Sequence, residues 1–240
     1  MSLRYALVSD TGRERECNED AACAVEEIGL FVVADGMGGH VAGEVASRVA
    51  IESFVAFVKE HGSMGEAPEE ARLLSEALLE ANSAVQHEAA SHQLYGMGTT
   101  LTAAQLRGHH ATICHVGDSR AYLLHRGALE ILTQDHTIVG LMVEEGVISA
   151  DAARDHPERH MLTQAIGTQE LVEPCVRQLE LPRGSRLLLS TDGLHDVVSN
   201  AEILELGAGE DLDAAARSLV ARANTHGGPD NITLILIEID

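Results

Sequence analysis

Short apolar runs that each lead into an aspartate constrain this chain more than any other feature. Phe31-Val32-Val33-Ala34 leads into Asp35-Gly36, and Leu187-Leu188-Leu189-Ser190-Thr191 leads into Asp192-Gly193. His115-Val116 leads to Gly117-Asp118. Gly227-Gly228-Pro229 leads to Asp230-Asn231 ahead of Ile232 to Ile239, which is almost continuously apolar. Runs of this length are strand-sized, and a strand without polar alternation is one buried on both faces or nearly so. None approaches the length that spans a bilayer. Helical periodicity fills the intervals. Leu74, Leu78, Ala81 and Val85 share one face behind a start at Pro68, Glu69 and Glu70. A second helix follows Asp211, with Leu212, Ala216 and Leu219 inward, and Val41, Val45, Val49 and Phe57 sketch another. The stretch His61 to Gly65 breaks two of these patterns. Gly98 to Leu132 reads as a strand meander with turns at Arg107-Gly108, Gly117-Asp118 and Arg126-Gly127. The order lacks strict β-α alternation, so the expected class is α+β, with antiparallel sheets covered by helices.

Carboxylates at several strand ends, converging on one edge, make an oxygen-rich cage suited to hard cations such as Mg²⁺ or Mn²⁺. Asp-Gly is also an ordinary hairpin turn, and spacing alone leaves both readings open. The loop Ser9 to Asp20 carries Arg13 and Arg15, and an arginine there could grip phosphate, while Glu19 and Asp20 could add oxygens to a cation. A solvated charged loop is the competing account of that stretch.

Composition narrows the function classes. With 240 residues, 45% of them hydrophobic, the chain is long enough for one large domain with a sizeable core. A net charge of -22 and 2% aromatic residues argue against nucleic acid, which needs clustered basic side chains or stacking platforms. Cys17, Cys23, Cys114 and Cys175 form neither a CxxC pair nor a disulfide framework. No apolar secretory core follows Met1 to Tyr5, so a cytoplasmic protein without membrane partners is expected.

Taken together, the segments resemble the metal-dependent Ser/Thr protein phosphatases, the PPM or type 2C family, in bacterial single-domain form. The motifs run in family order: Ser9-Asp10 to Asp20, Val33 to Gly39, Gly98-Thr99-Thr100, Val116 to Arg120, Leu132 to Thr137, Leu162 to Gly167, Ser190 to Leu194, and Asp230 to Thr233. The resemblance implies one catalytic domain over 1–240, a four-layer α-β-β-α sandwich of two antiparallel sheets flanked by helices, with a flap at about 137–160. It implies that Asp35 bridges two metals, that Gly36 lends a carbonyl, and that Asp192 and Asp230 complete the first site. Glu19 and Asp20 would hold metals directly or through water, and Asp118 with Asp192 would hold a third, weaker ion. Arg15 would bind the substrate phosphate.

The implied reaction is hydrolysis of phosphoserine or phosphothreonine in proteins by a metal-activated water, with two tight Mn²⁺ or Mg²⁺ sites, Asp35 and Asp192 central to the chemistry, and no phosphoenzyme. The partners implied are phosphoproteins, substrates of a cognate Ser/Thr kinase. Met37 stands where many eukaryotic members carry a histidine, so the leaving-group proton must come from metal-bound water, His136 or His156. Gln164 replaces an arginine common in bacterial relatives. Two other functions compete: a catalytically silent phosphoprotein-binding scaffold, which should lack a metal aspartate, and a small-molecule phosphomonoesterase.

Overall fold

The computed structural model describes residues 4–38, 41–62, 67–149, 152–153 and 156–240. Two antiparallel sheets face one another. The first has the order β1-β11-β10-β7-β8, built from β1 (Arg4–Asp10), β7 (Arg120–His125), β8 (Ala128–Ile131), β10 (Ser185–Ser190) and β11 (Ile232–Ile239). The second has the order β2-β3-β5-β6-β9, from β2 (Asp20–Val25), β3 (Leu30–Met37), β5 (Leu101–Arg107), β6 (His110–Val116) and β9 (Cys175–Glu180). A short β4 (Gly98–Thr99) pairs with the end of β3. Helices α1 (Val41–His61) and α2 (Ala67–His92) cover the second sheet, while α5 (Asn200–Gly207) and α6 (Leu212–Thr225) cover the first. Between them lie the short α3 (Ile138–Glu144) and the single turn α4 (Asp192–His195). The result is the expected four-layer α-β-β-α sandwich.

The apolar runs are continuous because each strand is covered on both sides. On β3, Phe31 and Val33 point between the sheets, and Leu30, Val32 and Ala34 point toward α1 and α2. On β11, Ile235, Ile237 and Ile239 face the inter-sheet core, and Ile232, Leu234 and Leu236 face α6. Period-2 geometry thus splits one apolar run between two cores.

Two expectations need correction. The buried face of α1 is Ala42, Ala46, Ala50, Ile51, Phe54 and Val58, whereas Val45, Val49 and Phe57 are only partly buried. The N-terminal half of the contact side is alanine, small enough to let the helix approach β3 closely, and Ile51, Phe54 and Val58 continue it, while Val45 and Val49 fall beside it. The side chain of Val41 and the loop residues Ser63 to Gly65 lie outside the described residues. The stretch from Gly98 to Leu132 is not one meander. Arg107-Gly108 and Arg126-Gly127 turn hairpins within a sheet, but Gly117-Asp118 carries the chain from β6 in one sheet to β7 in the other. A glycine with φ +103° serves a crossing there as readily as a hairpin. Among the described residues no helix is long and apolar enough to cross a membrane.

Candidate metal centre

The register of the sheets brings the aspartates together. Asp20 and Asp35 are cross-strand partners on β2 and β3, and Asp192 opens α4 directly after β10. The backbone of Asp35 is clamped from the facing edge: its N–H donates to Thr100 Oγ1 (2.9 Å), and its carbonyl accepts from the Thr99 hydroxyl (2.8 Å) and the Thr100 N–H (2.9 Å). Thr100 in turn shares a 2.7 Å hydrogen bond with Ser119, next to Asp118. Thr191 donates to Asp20 Oδ2 (2.8 Å) and accepts from the N–H of Thr233 (3.0 Å), joining the ends of β2, β10 and β11.

The glycines beside these aspartates resolve the ambiguity that spacing left. Neither Asp-Gly pair makes a hairpin. Gly36 lies within β3, where a Cβ would fall 2.1 Å from the carbonyl of Gly43. Gly193 lies inside α4, where a Cβ would fall 2.0 Å from the carbonyl of Asn231. Both glycines let one backbone press against another, so the adjoining carboxylates can crowd.

Crowding has electrostatic consequences. Burial, reinforced by the charges of Asp192 and Asp230, pushes Asp20 up to about 7 despite hydrogen bonds from Thr233 and Thr191. Burial and then the neighbouring Asp192, Asp20 and Asp118 hold Asp35 well above the usual carboxylate range. Asp118 is raised likewise, by burial and then by Asp192, Asp135 and Asp196. Asp192 is raised chiefly by burial. Like charges at this density need compensation by protons or by cations. Two oxygens, Asp20 Oδ1 and Asp192 Oδ1, are closed off from solvent and accept no hydrogen bond. Unsatisfied carboxylate oxygens in an all-oxygen set suit a hard divalent cation.

The remaining residues sit around this cluster. Arg15 Nη2 donates to Asp230 Oδ2 at 2.7 Å, and its side chain is 50% exposed at the mouth. The Glu19 carboxylate lies against Gly43, and its backbone carbonyl accepts from Gly36 N–H and Ser47 Oγ. Asn231 braces the Arg15 loop. Its Oδ1 accepts from Glu19 N–H (2.7 Å), and its Nδ2 donates to the carbonyls of Thr11 and Cys17 (2.9 Å each).

The two histidines singled out from sequence each accept a backbone N–H at Nδ1. His136 Nδ1 accepts from the Gly117 N–H (3.2 Å), and its ring stacks on His115 at 4.8 Å, bracing the crossing before Asp118. His156 Nδ1 accepts from the Glu158 N–H (3.2 Å). Beside Asp192 the structure instead puts His160, with Asp196. Sequence reasoning passed over both. Asp196 follows Asp192 by one helical turn, which is a usable signal. His160 has no local signal. Arg120 and Asp135, each within a motif, make a two-pronged ion pair (2.8 and 2.5 Å) that ties β7 to the strand-exit segment after β8. A groove lined by Met37, His160, Met161, Leu162, Gln164 and Thr168 runs beside the carboxylates.

Comparison with known proteins agrees with this arrangement. Residues 12–231 match the family model described as Protein phosphatase 2C. The chain belongs to the protein phosphatase 2C family. Within it, the chain is 40% identical over 238 residues to the serine/threonine protein phosphatase PstP of Mycobacterium tuberculosis, covering 99% of this chain and 45% of that one. The chain therefore spans about half the length of that relative. It is 38% identical over 237 residues to the serine/threonine phosphatase stp of Listeria monocytogenes, covering 97% and 94% of the two. The crystal structure of the PstP catalytic domain in complex with two manganese ions superposes with a TM-score of 0.88 at 38% identity, covering 99% of both chains. As a type 2C phosphatase fold, the sandwich accounts for why the motifs are scattered: all but Leu162 to Gly167 lie at the start or the end of a strand.

Proposed function

We propose that the chain is a metal-dependent phosphatase that hydrolyses phosphoserine and phosphothreonine in other proteins. The observation that carries this reading is the convergence of Asp20, Asp35, Asp118, Asp192 and Asp230 at one edge of the two sheets, with Arg15 at its mouth. Asp35, the Gly36 carbonyl, Asp192 and Asp230 are the groups for a pair of cations, with Glu19 and Asp20 close by and Asp118 with Asp192 for a weaker third. Divalent cations bound there supply charge that acidifies a water and screens phosphoryl oxygens.

The chain's own residues do the rest. Uncompensated, five carboxylates repel a phosphate dianion. Arg15 offers the cationic fork, exchanging its Asp230 partner for phosphoryl oxygens. Thr99 and Thr100 fix the Asp35 backbone through its N–H and its carbonyl, which holds the base of the side chain in place as substrate arrives. Cysteine plays no part: Cys114 is buried against α2, and burial raises its thiol far above neutrality.

The expected single catalytic domain over 1–240 is kept in this reading, with a flap at about 137–160, of which 150–151 and 154–155 lie outside the described residues. Within it, Thr137 caps α3 by accepting from Gly140 N–H. The protein acts in the cytoplasm against a cognate Ser/Thr kinase, with Mn²⁺ or Mg²⁺ as the ion. The relatives' names support the substrate class, and the manganese-bound PstP domain supports the metal. The deciding experiment is phosphate release from a phosphothreonine peptide with Mn²⁺, with Mg²⁺ and with chelator. Release that needs added metal bears the reading out; none under any metal condition defeats it.

A further inference from the structure

We propose that the groove beside the carboxylates takes a lysine or arginine side chain of the phosphoprotein, about two to three residues from the phosphorylated one. This rests on the phosphatase reading and deepens it, by naming what the substrate carries next to its phosphate. The groove encloses about 570 Å³, within the range of pockets that hold a ligand. Its apolar surface comes from Met37, Pro157, Met161, Leu162 and Ala165, and Met161 is 51% exposed. Methionine is unbranched and polarisable, so it moulds to stems of differing length. The alkyl stem of a lysine or arginine settles on such a surface, provided that its charged head reaches water or an opposite charge.

The opposite charge is present. Among the described residues that line the groove, Glu158 is the only Asp, Glu, Lys or Arg. His160, also on the lining, already has Asp196 at 3.3 Å. Arg159 is not on the lining, and its charge acts on Asp196 instead. Gln164 on the wall accepts from the Glu173 N–H (2.8 Å), which brings a second acidic residue beside the groove, and Glu170 follows the lining residue Gln169. A groove with this rim favours a basic flank over an acidic one, and a net charge of -22 adds long-range attraction for a cationic segment. The groove is also tied to the metal centre. Met37 lies two residues beyond Asp35 on β3, about 7 Å away at the rise of a strand, and an extended peptide covers that span in about two residues. Thr99, whose hydroxyl holds the Asp35 carbonyl, exchanges N–H to carbonyl bonds (3.0 and 2.9 Å) with Ile166, next to the lining residue Ala165. The groove therefore keeps its distance from the phosphate position, and the side chain it holds decides which phosphoproteins dock well.

The test uses the full chain with saturating Mn²⁺ and phosphothreonine peptides that carry lysine, norleucine, alanine or glutamate in turn at each flanking position. p-Nitrophenyl phosphate, which has no flank, is the reference substrate for every variant. The wild type should prefer lysine over alanine by about 10-fold in kcat/KM at one flanking position, through KM rather than kcat. Norleucine, which keeps the stem and lacks the charge, should recover only part of that preference. Glu158→Gln and Gln164→Arg should each reduce the preference for lysine over norleucine by about 2- to 5-fold, and added salt should narrow it in the wild type. A folding defect lowers all rates together and leaves the ratio between peptides unmoved, so the ratio is the readout. Equal kcat/KM for lysine and norleucine at every position overturns the proposal. So does a preference for glutamate, or a lysine preference unchanged in both variants. Absence of phosphate release from every substrate would defeat the phosphatase reading itself, and this inference with it.

Discussion

Asn231 is the residue whose substitution tests the architecture of the site most directly. Its side chain is buried (5% exposed) and makes three hydrogen bonds, all to the loop that carries Arg15 and Glu19. Asn231→Ala removes all three and leaves one N–H and two carbonyls to find water. At about 1 kcal/mol net for each bond, the cost is about 2–4 kcal/mol. For a chain of this size that lowers the melting temperature by about 5–15 °C. Asn231→Asp should be worse than alanine. It keeps an oxygen for Glu19 N–H but turns a second oxygen toward the carbonyls of Thr11 and Cys17. Because the loop carries Arg15, the loss should also reach the phosphate: KM for a phosphopeptide should rise in Asn231→Ala with metal supplied at saturation. Thermal melts with phosphate-release kinetics measure both. A variant that melts within about a degree of the wild type with unchanged kcat/KM would show that the loop is held by something other than Asn231.

Further outcomes follow from other groups. Arg15→Ala should lower kcat/KM on a phosphopeptide by about 10- to 150-fold, the equivalent of about 1.5–3 kcal/mol, with little change in melting temperature because the side chain is half exposed; unchanged kinetics would make Arg15 a surface charge. Asp35→Asn should lose metal affinity and activity together in calorimetry and kinetics, whereas Asp118→Ala should keep two tight sites and turn over more slowly; the reverse pattern would mean that these roles are assigned backwards. Gly193→Ala should destabilise strongly in a denaturant titration, since its Cβ would lie 2.0 Å from a backbone oxygen with nowhere to move. His115 adds a pH dependence: burial, then the neighbouring His136, lowers it to about 3 from an ordinary value of about 6.5. The unfolded chain binds that proton more readily, so the contribution is complete above pH of about 6.5 and is lost as pH falls toward 3. Denaturant midpoints across that window should fall less steeply in His115→Gln, and an identical slope would remove His115 from the account.

The strands were legible because their burial is two-sided. A strand covered on both faces favours apolar residues on both, and β3, β10 and β11 show that directly in Leu30 to Ala34, Leu187 to Leu189 and Leu234 to Ile237. The face of α1 was less so. The first half of its contact side is Ala42, Ala46 and Ala50, whose small size lets the helix sit close and is also the reason they carry little hydrophobic signal. The crossing at Gly117 was hidden because the local backbone conformation of a hairpin and of a sheet-to-sheet step is the same; only distant pairing decides between them. The aspartates that end apolar runs could be picked out, since the end of a buried strand is where chain and solvent meet. Glu19 and Asp20 stood out only as acidic residues of a charged loop, and Arg15 was singled out only by motif resemblance. The partnership of His160 with Asp196 was not legible at all, because the two residues share no local element and meet only once the chain has returned through β9 and β10.

The place of β1 in its sheet bears on how the protein is made. Among the described residues the only strand paired with it is β11, which separates it from β10 and the rest of that sheet. On the ribosome, at about 5–20 residues per second, about 10–45 s pass between the emergence of Asp10 and that of Ile232. During that interval β1 has no strand to pair with, and β10 exposes an edge that β11 will later fill. Asp20 and Asp35 can already face each other across their hairpin, yet Asp230 arrives only with the strand that closes the sheet. A nascent chain therefore lacks Asp230 from its charge cluster, with a long apolar strand edge open, until the final insertion. A chaperone that shields β10 or β1 would act in that window, and a ribosome stall before residue 232 should yield a protease-sensitive chain without activity.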